Sequence, residues 1–239
     1  MTDPSISLPL AGNPLVRVTT SSGRIAFHAE DRPDILIQSG APPLEKIEIS
    51  GEEIHFHSDR KGSRDLVVRV PSSMSIVAGT ASGDISMSGS YGEVRATTAS
   101  GNIAVDEAET VDLRTISGDV NVARCSGRCR LQSVSGRALV ASCGSSELST
   151  VSGDVELQKV SGDAKVRTVS GRIEITSEGK GTIAVKTVSG GVRIAVPQGT
   201  SPNAKLVSLG STPRCALPGG ADCEIDVVSM SGKIEIIDS

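Results

Sequence analysis

Residues 150–157 read Thr-Val-Ser-Gly-Asp-Val-Glu-Leu, and residues 168–175 read Thr-Val-Ser-Gly-Arg-Ile-Glu-Ile. The same phrase stands at 115–122 as Thr-Ile-Ser-Gly-Asp-Val-Asn-Val and at 133–140 as Ser-Val-Ser-Gly-Arg-Ala-Leu-Val. Working outward from these four, Ser-Gly recurs at Ser82, Ser100, Ser117, Ser135, Ser152, Ser170 and Ser189, at spacings of 18, 17, 18, 17, 18 and 19 residues. Weaker copies fall midway, at Tyr91-Gly92, Ser126-Gly127, Cys143-Gly144, Ser161-Gly162 and Gly179 to Gly181. The step is therefore about nine residues, two steps making one period, and a fixed period is the signature of a repeat architecture.

Aligned on Ser, the third position after it is Ile85, Ile103, Val120, Ala138, Val155, Ile173 or Val192, and the fifth is Met87, Val105, Val122, Val140, Leu157, Ile175 or Ile194. Apolar residues two apart define a strand with one buried face. The residue before Ser is also apolar (Ala81, Ala99, Ile116, Val134, Val151, Val169, Val188), and this flanking lane is expected to help fill a narrow aliphatic core. Two before Ser stands a hydroxyl in every copy. The Gly of each copy is expected to turn the corner between strands, since positive φ carries no Cβ penalty there.

Two all-β architectures accommodate this pattern. In a single-stranded parallel β-helix, or β-solenoid, each period is one coil, and equivalent residues stack about 4.8 Å apart. In an antiparallel meander or sandwich, consecutive strands pair as hairpins instead. The residue after Gly favours the solenoid. It runs Asp84, Asn102, Asp119, Arg137, Asp154, Arg172, Gly191, and from Asn102 to Arg172 no two neighbours carry like charge. Only stacking gives that alternation a purpose, because like charges directly opposite are destabilising.

Three regions follow. Residues 1–78 hold irregularly spaced strand-like segments and are expected to form an N-terminal β cap, with Ser22-Gly23-Arg24-Ile25 suggesting degenerate first coils. Residues 79–196 form the regular solenoid. Residues 197–239 comprise a Pro/Gly-rich loop and then a terminal coil around Ser231-Gly232. A cap is needed because an open solenoid end exposes unpaired strand edges.

The run Leu66-Val67-Val68-Arg69-Val70-Pro71, leading into the repeats, together with residues 150–157 and the copies near Ser117 and Ser170, resembles the bacterial DUF4097 family, whose members are often labelled "putative adhesin". The resemblance spans residues 15–237 and is tightest over 65–196. It implies a β-helix-like domain with no catalytic residues to carry over, some relatives being linked to cell-envelope stress sensing and others to the surface.

Composition narrows the function. There is no Trp among 239 residues, the only aromatics are Phe27, Phe56 and Tyr91, and the net charge is −4. Such a chain offers no rings to stack on sugars, which counts against a polysaccharide-active β-helix enzyme, and no basic surface for nucleic acid. No stretch reaches the ~20 apolar residues of a transmembrane helix. The opening residues have neither a basic nor an apolar signal-peptide region, so a cytoplasmic protein with reduced thiols is expected.

The residues that could carry chemistry have plainer readings. Asp119 and Asp154, interleaved with Arg137 and Arg172, are better read as charge-balanced corner residues than as an acid/base pair or Ca²⁺ ligands. Cys125 and Cys129 fall at core positions equivalent to Val160 and Ala164, Cys143 falls at a Ser position, and free Cys commonly serves as a small buried hydrophobe. Cys215 and Cys223 would pair only in an oxidising compartment. His55 and His57 share a strand face without an evident third ligand, and His28 has no assigned neighbour. No catalytic, cofactor-binding or metal-binding residue is therefore expected, and no cofactor. The expected function is a non-enzymatic scaffold presenting a flat face to a protein partner, with a self-assembling filament, similar in style to bactofilins, as the alternative.

Overall fold

The structure is a computed structural model and describes residues 5–9, 15–39, 47–50, 53–58 and 65–239. Every regular element among the described residues is a β-strand, and the repeats form parallel β-solenoid coils with the spacing read from the sequence. The chain divides into two compact units, residues 1–121 and 122–239.

In the first unit, Ile85 pairs with Ile103, Val94 with Val111 and Ser100 with Ser117, all in parallel. Strand Ile76–Ser82 pairs in turn with the second half of Ile85–Ser100, placing Ser82 opposite Ser100. Strands Leu15–Ser22 and Ile25–Glu30 form a further coil of the same kind, with Ser22 opposite Ser82 and Ile25 opposite Ile85. That coil is not the outermost. Strands Glu53–Ser58 and Leu66–Pro71, later in the chain, pair with its other edge. Antiparallel strands cover this outer layer: Asp34–Ser39 lies on Leu66–Pro71, Ser5–Pro9 on Asp34–Ser39, and Ile47–Ser50 on Glu53–Ser58. The antiparallel alternative is thus confined to the capping strands.

The second unit repeats the device at its own end. Coils built on Ala164–Ser170 with Ile173–Ser177, and on Thr182–Ser189 with Val192–Val196, stack in register. Strands Glu224–Ser231 and Ile234–Asp238 come next. The expected terminal coil is therefore not terminal. Strands Asn203–Ser208 and Arg214–Cys215, inside the supposed loop, pair with its far side and form the outermost layer. Pro202 and Pro213 immediately precede its two strands, the second of which is two residues long.

The third and fifth positions after Ser are buried in both units, as are Leu113, Leu131, Leu148, Val166 and Val185 four residues before it. The flanking lane is a correction. Ile116, Val134, Val151, Val169 and Val188 are 44 to 55% exposed and take no part in the core. Strand alternation accounts for this: the residues four and two before Ser point inward, so the one immediately before it points out. The inward residue of that pair is the hydroxyl, buried at Thr98, Thr115, Thr150, Thr168 and Thr187. Thr168 donates to the carbonyl of Ser170 at 3.0 Å, and Thr98 to that of Gly83 at 3.4 Å.

The corner glycine is fixed by stacking as well as by its dihedral angle. Gly101 has φ +150°, and a Cβ there would lie 2.0 Å from the carbonyl oxygen of Gly83 in the adjacent coil. At Gly153 no unusual φ is involved, yet a Cβ would still meet the Gly136 oxygen at 2.0 Å.

Candidate interaction face

The corner acids anticipated as structural have a definite task. Asp84 accepts a hydrogen bond from the amide of Asn102 at 2.9 Å, and Asn102 accepts from the amide of Asp119 at 2.9 Å. In the second unit Asp154 accepts from the amide of Arg172 at 2.8 Å. A carboxylate or carboxamide at this position thus satisfies the corner amide of the next coil, which no ladder bond reaches. Arg137 and Arg172 flank Asp154, and Arg137 is ion-paired with Glu156. Hydrogen bonds from Gln158 and then Arg137 hold the Glu156 carboxyl below its ordinary range. These groups line a shallow open groove of about 210 Å³ with Glu174, and every acid in it lies beside a base.

Cys125, Cys129 and Cys143 are buried in the core of the second unit. Cys143 is not at a Ser position: it pairs in register with Val160, one residue before Ser161, and so lies in the core lane. The Cys125 thiol and burial push Cys129 well above the ordinary thiol range, and burial lifts Cys143 to about 11. Raised in this way, Cys129 and Cys143 are held as thiols rather than the reactive thiolate. Cys223 is buried and Cys215 exposed, and both are free. His28 hydrogen-bonds Ser88 through Nδ1 at 2.7 Å. His55 and His57 lie on strand Glu53–Ser58, opposite Arg17 and Thr19, with side chains outside the described residues. Among the described residues, no group of three or more His, Cys, Asp or Glu is placed to hold a metal ion.

What sequence reasoning missed is the outward face just before the corner. In the second unit Val134, Val151, Val169, Val188 and Met230 form one continuous exposed ladder. Its register is fixed by the pairings Ser135 with Ser152, Ser152 with Ser170, Ser170 with Ser189, and Ser189 with Ser231. Leu209, 79% exposed, extends it in the outermost layer, where its amide bonds the carbonyl of Ser229. Five steps at about 4.8 Å make an apolar ridge about 24 Å long. Two residues back on the same outward face stand Ser149, Arg167, Lys186, Val228 and Val207. Two further back stand Glu147, Lys165, Ala184, Asp226 and Lys205. The signal was present in the sequence: Leu148, Val166 and Val185 set the parity that turns the residue before Ser outward.

The family model described as Toastrack DUF4097 matches residues 16–236. The chain belongs to the Toastrack family. Among solved structures, a "putative adhesin" from Bacteroides fragilis NCTC 9343 is similar over 99% of this chain and 97% of its own, at 11% identity and a TM-score of 0.53. Another so named, from Parabacteroides merdae ATCC 43184, covers 99% and 95%, at 10% identity and a TM-score of 0.49. At such identity the first of these likenesses shows a shared fold. None of the curated proteins matches.

Proposed function

We propose that this Toastrack protein is a non-enzymatic scaffold that presents its outward β face to a protein partner. The observation that carries this reading is the exposed apolar ladder from Val134 to Leu209. A contiguous apolar strip on an otherwise polar surface is what an interaction site requires. Adhesin, the name given to structural neighbours, describes binding without chemistry and agrees with it. A cytoplasmic setting and a link to envelope stress or regulation are part of this proposal, the link resting on the family resemblance alone.

A differential capture experiment tests the reading. Wild-type protein, the Val169→Asp/Val188→Asp variant and the opposite-face variant Glu174→Arg would each be immobilised and exposed to lysate of the native host. A protein held by the wild type and by Glu174→Arg, but lost from the double variant at equal thermal stability, is the expected result. Identical retention by all three would remove the ladder as the interaction face.

A further inference from the structure

The charges around the ladder say what kind of protein segment it suits. On the face after the corner, charges are compensated: Arg137 pairs with Glu156 and Lys233 with Glu235, and the one like-charge step, Glu156 beside Glu174, is flanked by Arg137 and Arg193. The lane farthest from the ridge is balanced too, since Glu147 accepts from Arg128 at 2.8 Å and stands beside Lys165, while Asp226 stands beside Lys205. The lane next to the ridge breaks the rule. Arg167 and Lys186 are direct register partners, two cations about 4.8 Å apart, with Ser149 on one side and Val228 on the other. Both are exposed, and neither makes an ion pair among the described residues. Like charges placed directly opposite on a sheet are destabilising.

An apolar ridge bordered by an uncompensated pair of cations is complementary to one ligand chemistry. We infer that the face formed by Val151, Val169, Val188, Met230, Arg167 and Lys186 docks an acidic polypeptide segment, one whose apolar side chains cover the ridge while its carboxylates meet the two cations. This rests on the reading that the outward face meets a protein, and it adds the partner's charge. A bilayer is the weaker occupant, because the chain's three aromatic residues all precede residue 122 and this unit has no ring to anchor at an interface. Nucleic acid is weaker still: two cations on a chain of net charge −4 make a poor phosphate site.

The probes are three labelled peptides of about sixteen residues, long enough to span the ridge in any regular conformation. Valine alternates in them with aspartate, lysine or serine, and phosphatidylserine-containing vesicles serve as a fourth probe. The aspartate peptide is expected to bind at least tenfold more tightly than the other two, to weaken with added salt, and to lose at least tenfold on Lys186→Glu but not on Glu174→Lys. Melting curves would confirm that both exposed substitutions leave the fold intact. Equal affinity for all three peptides, or binding to vesicles in preference to the aspartate peptide, would overturn the inference. Failure of every probe would also overturn it, while the capture experiment above would still judge the wider reading on its own.

Discussion

At the corner of each coil two residues carry opposite constraints. Gly101 faces the Gly83 carbonyl so closely that a methyl group has nowhere to go, and the obstacle is backbone. Gly101→Ala is expected to cost about 3 kcal/mol in urea unfolding. Gly191, where a Cβ would meet nothing within 4 Å, should accept Ala within about 0.5 kcal/mol. Equal losses at the two sites would show that stacking is not what fixes the corner glycine. Asn102 tests the neighbouring position. Asn102→Asp keeps an acceptor for the Asp119 amide but stacks three carboxylates in one lane, the introduced one between those of Asp84 and Asp119. It should lose about 1 kcal/mol at neutral pH relative to wild type, a gap that added salt should narrow. The charge alternation behind this prediction was readable from sequence, because it depends only on spacing. The hydrogen bond from each corner acid to the next coil was not, because it depends on the three-dimensional rise between coils.

Among the elements, the coils at both extremities are interleaved rather than laid down in order. Glu224–Ser231 lies between Thr182–Ser189 and Asn203–Ser208, with both edges paired. Its amides should exchange with solvent far more slowly than those of Asn203–Ser208, which pair on one side only among the described residues. Faster exchange in Glu224–Ser231 would contradict the layer order. Sequence could not supply that order, since Ser231-Gly232 announces a coil without saying which neighbours it joins, and Asn203–Ser208 carries no Ser-Gly signal. The buried thiols add an alkaline limit. Cys143 stays protonated in the folded chain to about 11, whereas an unfolded thiol ionises near its ordinary value of about 8.5. Stability is therefore fully present below that value and falls as pH rises toward 11, by about 1.4 kcal/mol per pH unit for each such thiol. Cys143→Val, which matches Val160 in the adjacent coil, should unfold with a shallower alkaline loss. An unchanged slope would mean that Cys143 is not held neutral by the core.

For the molecule as a whole, the repeat made the fold readable and obscured the surface. Every apolar lane looks alike in an aligned sequence, and Val169 before Ser170 is as regular as Ile173 after it. Burial separates them: Ile173 is fully covered, and Val169 is 48% exposed. The lane that resembled core is the one the account assigns to a partner. Its most direct test is a photo-cross-linking scan in the native host, with a photoreactive side chain placed singly at Val169, Val188, Glu156 and Glu174. The account predicts a discrete adduct to a second protein from positions 169 and 188 and none from 156 and 174. Adducts from 156 and 174 alone, or none from 169 and 188, would contradict it.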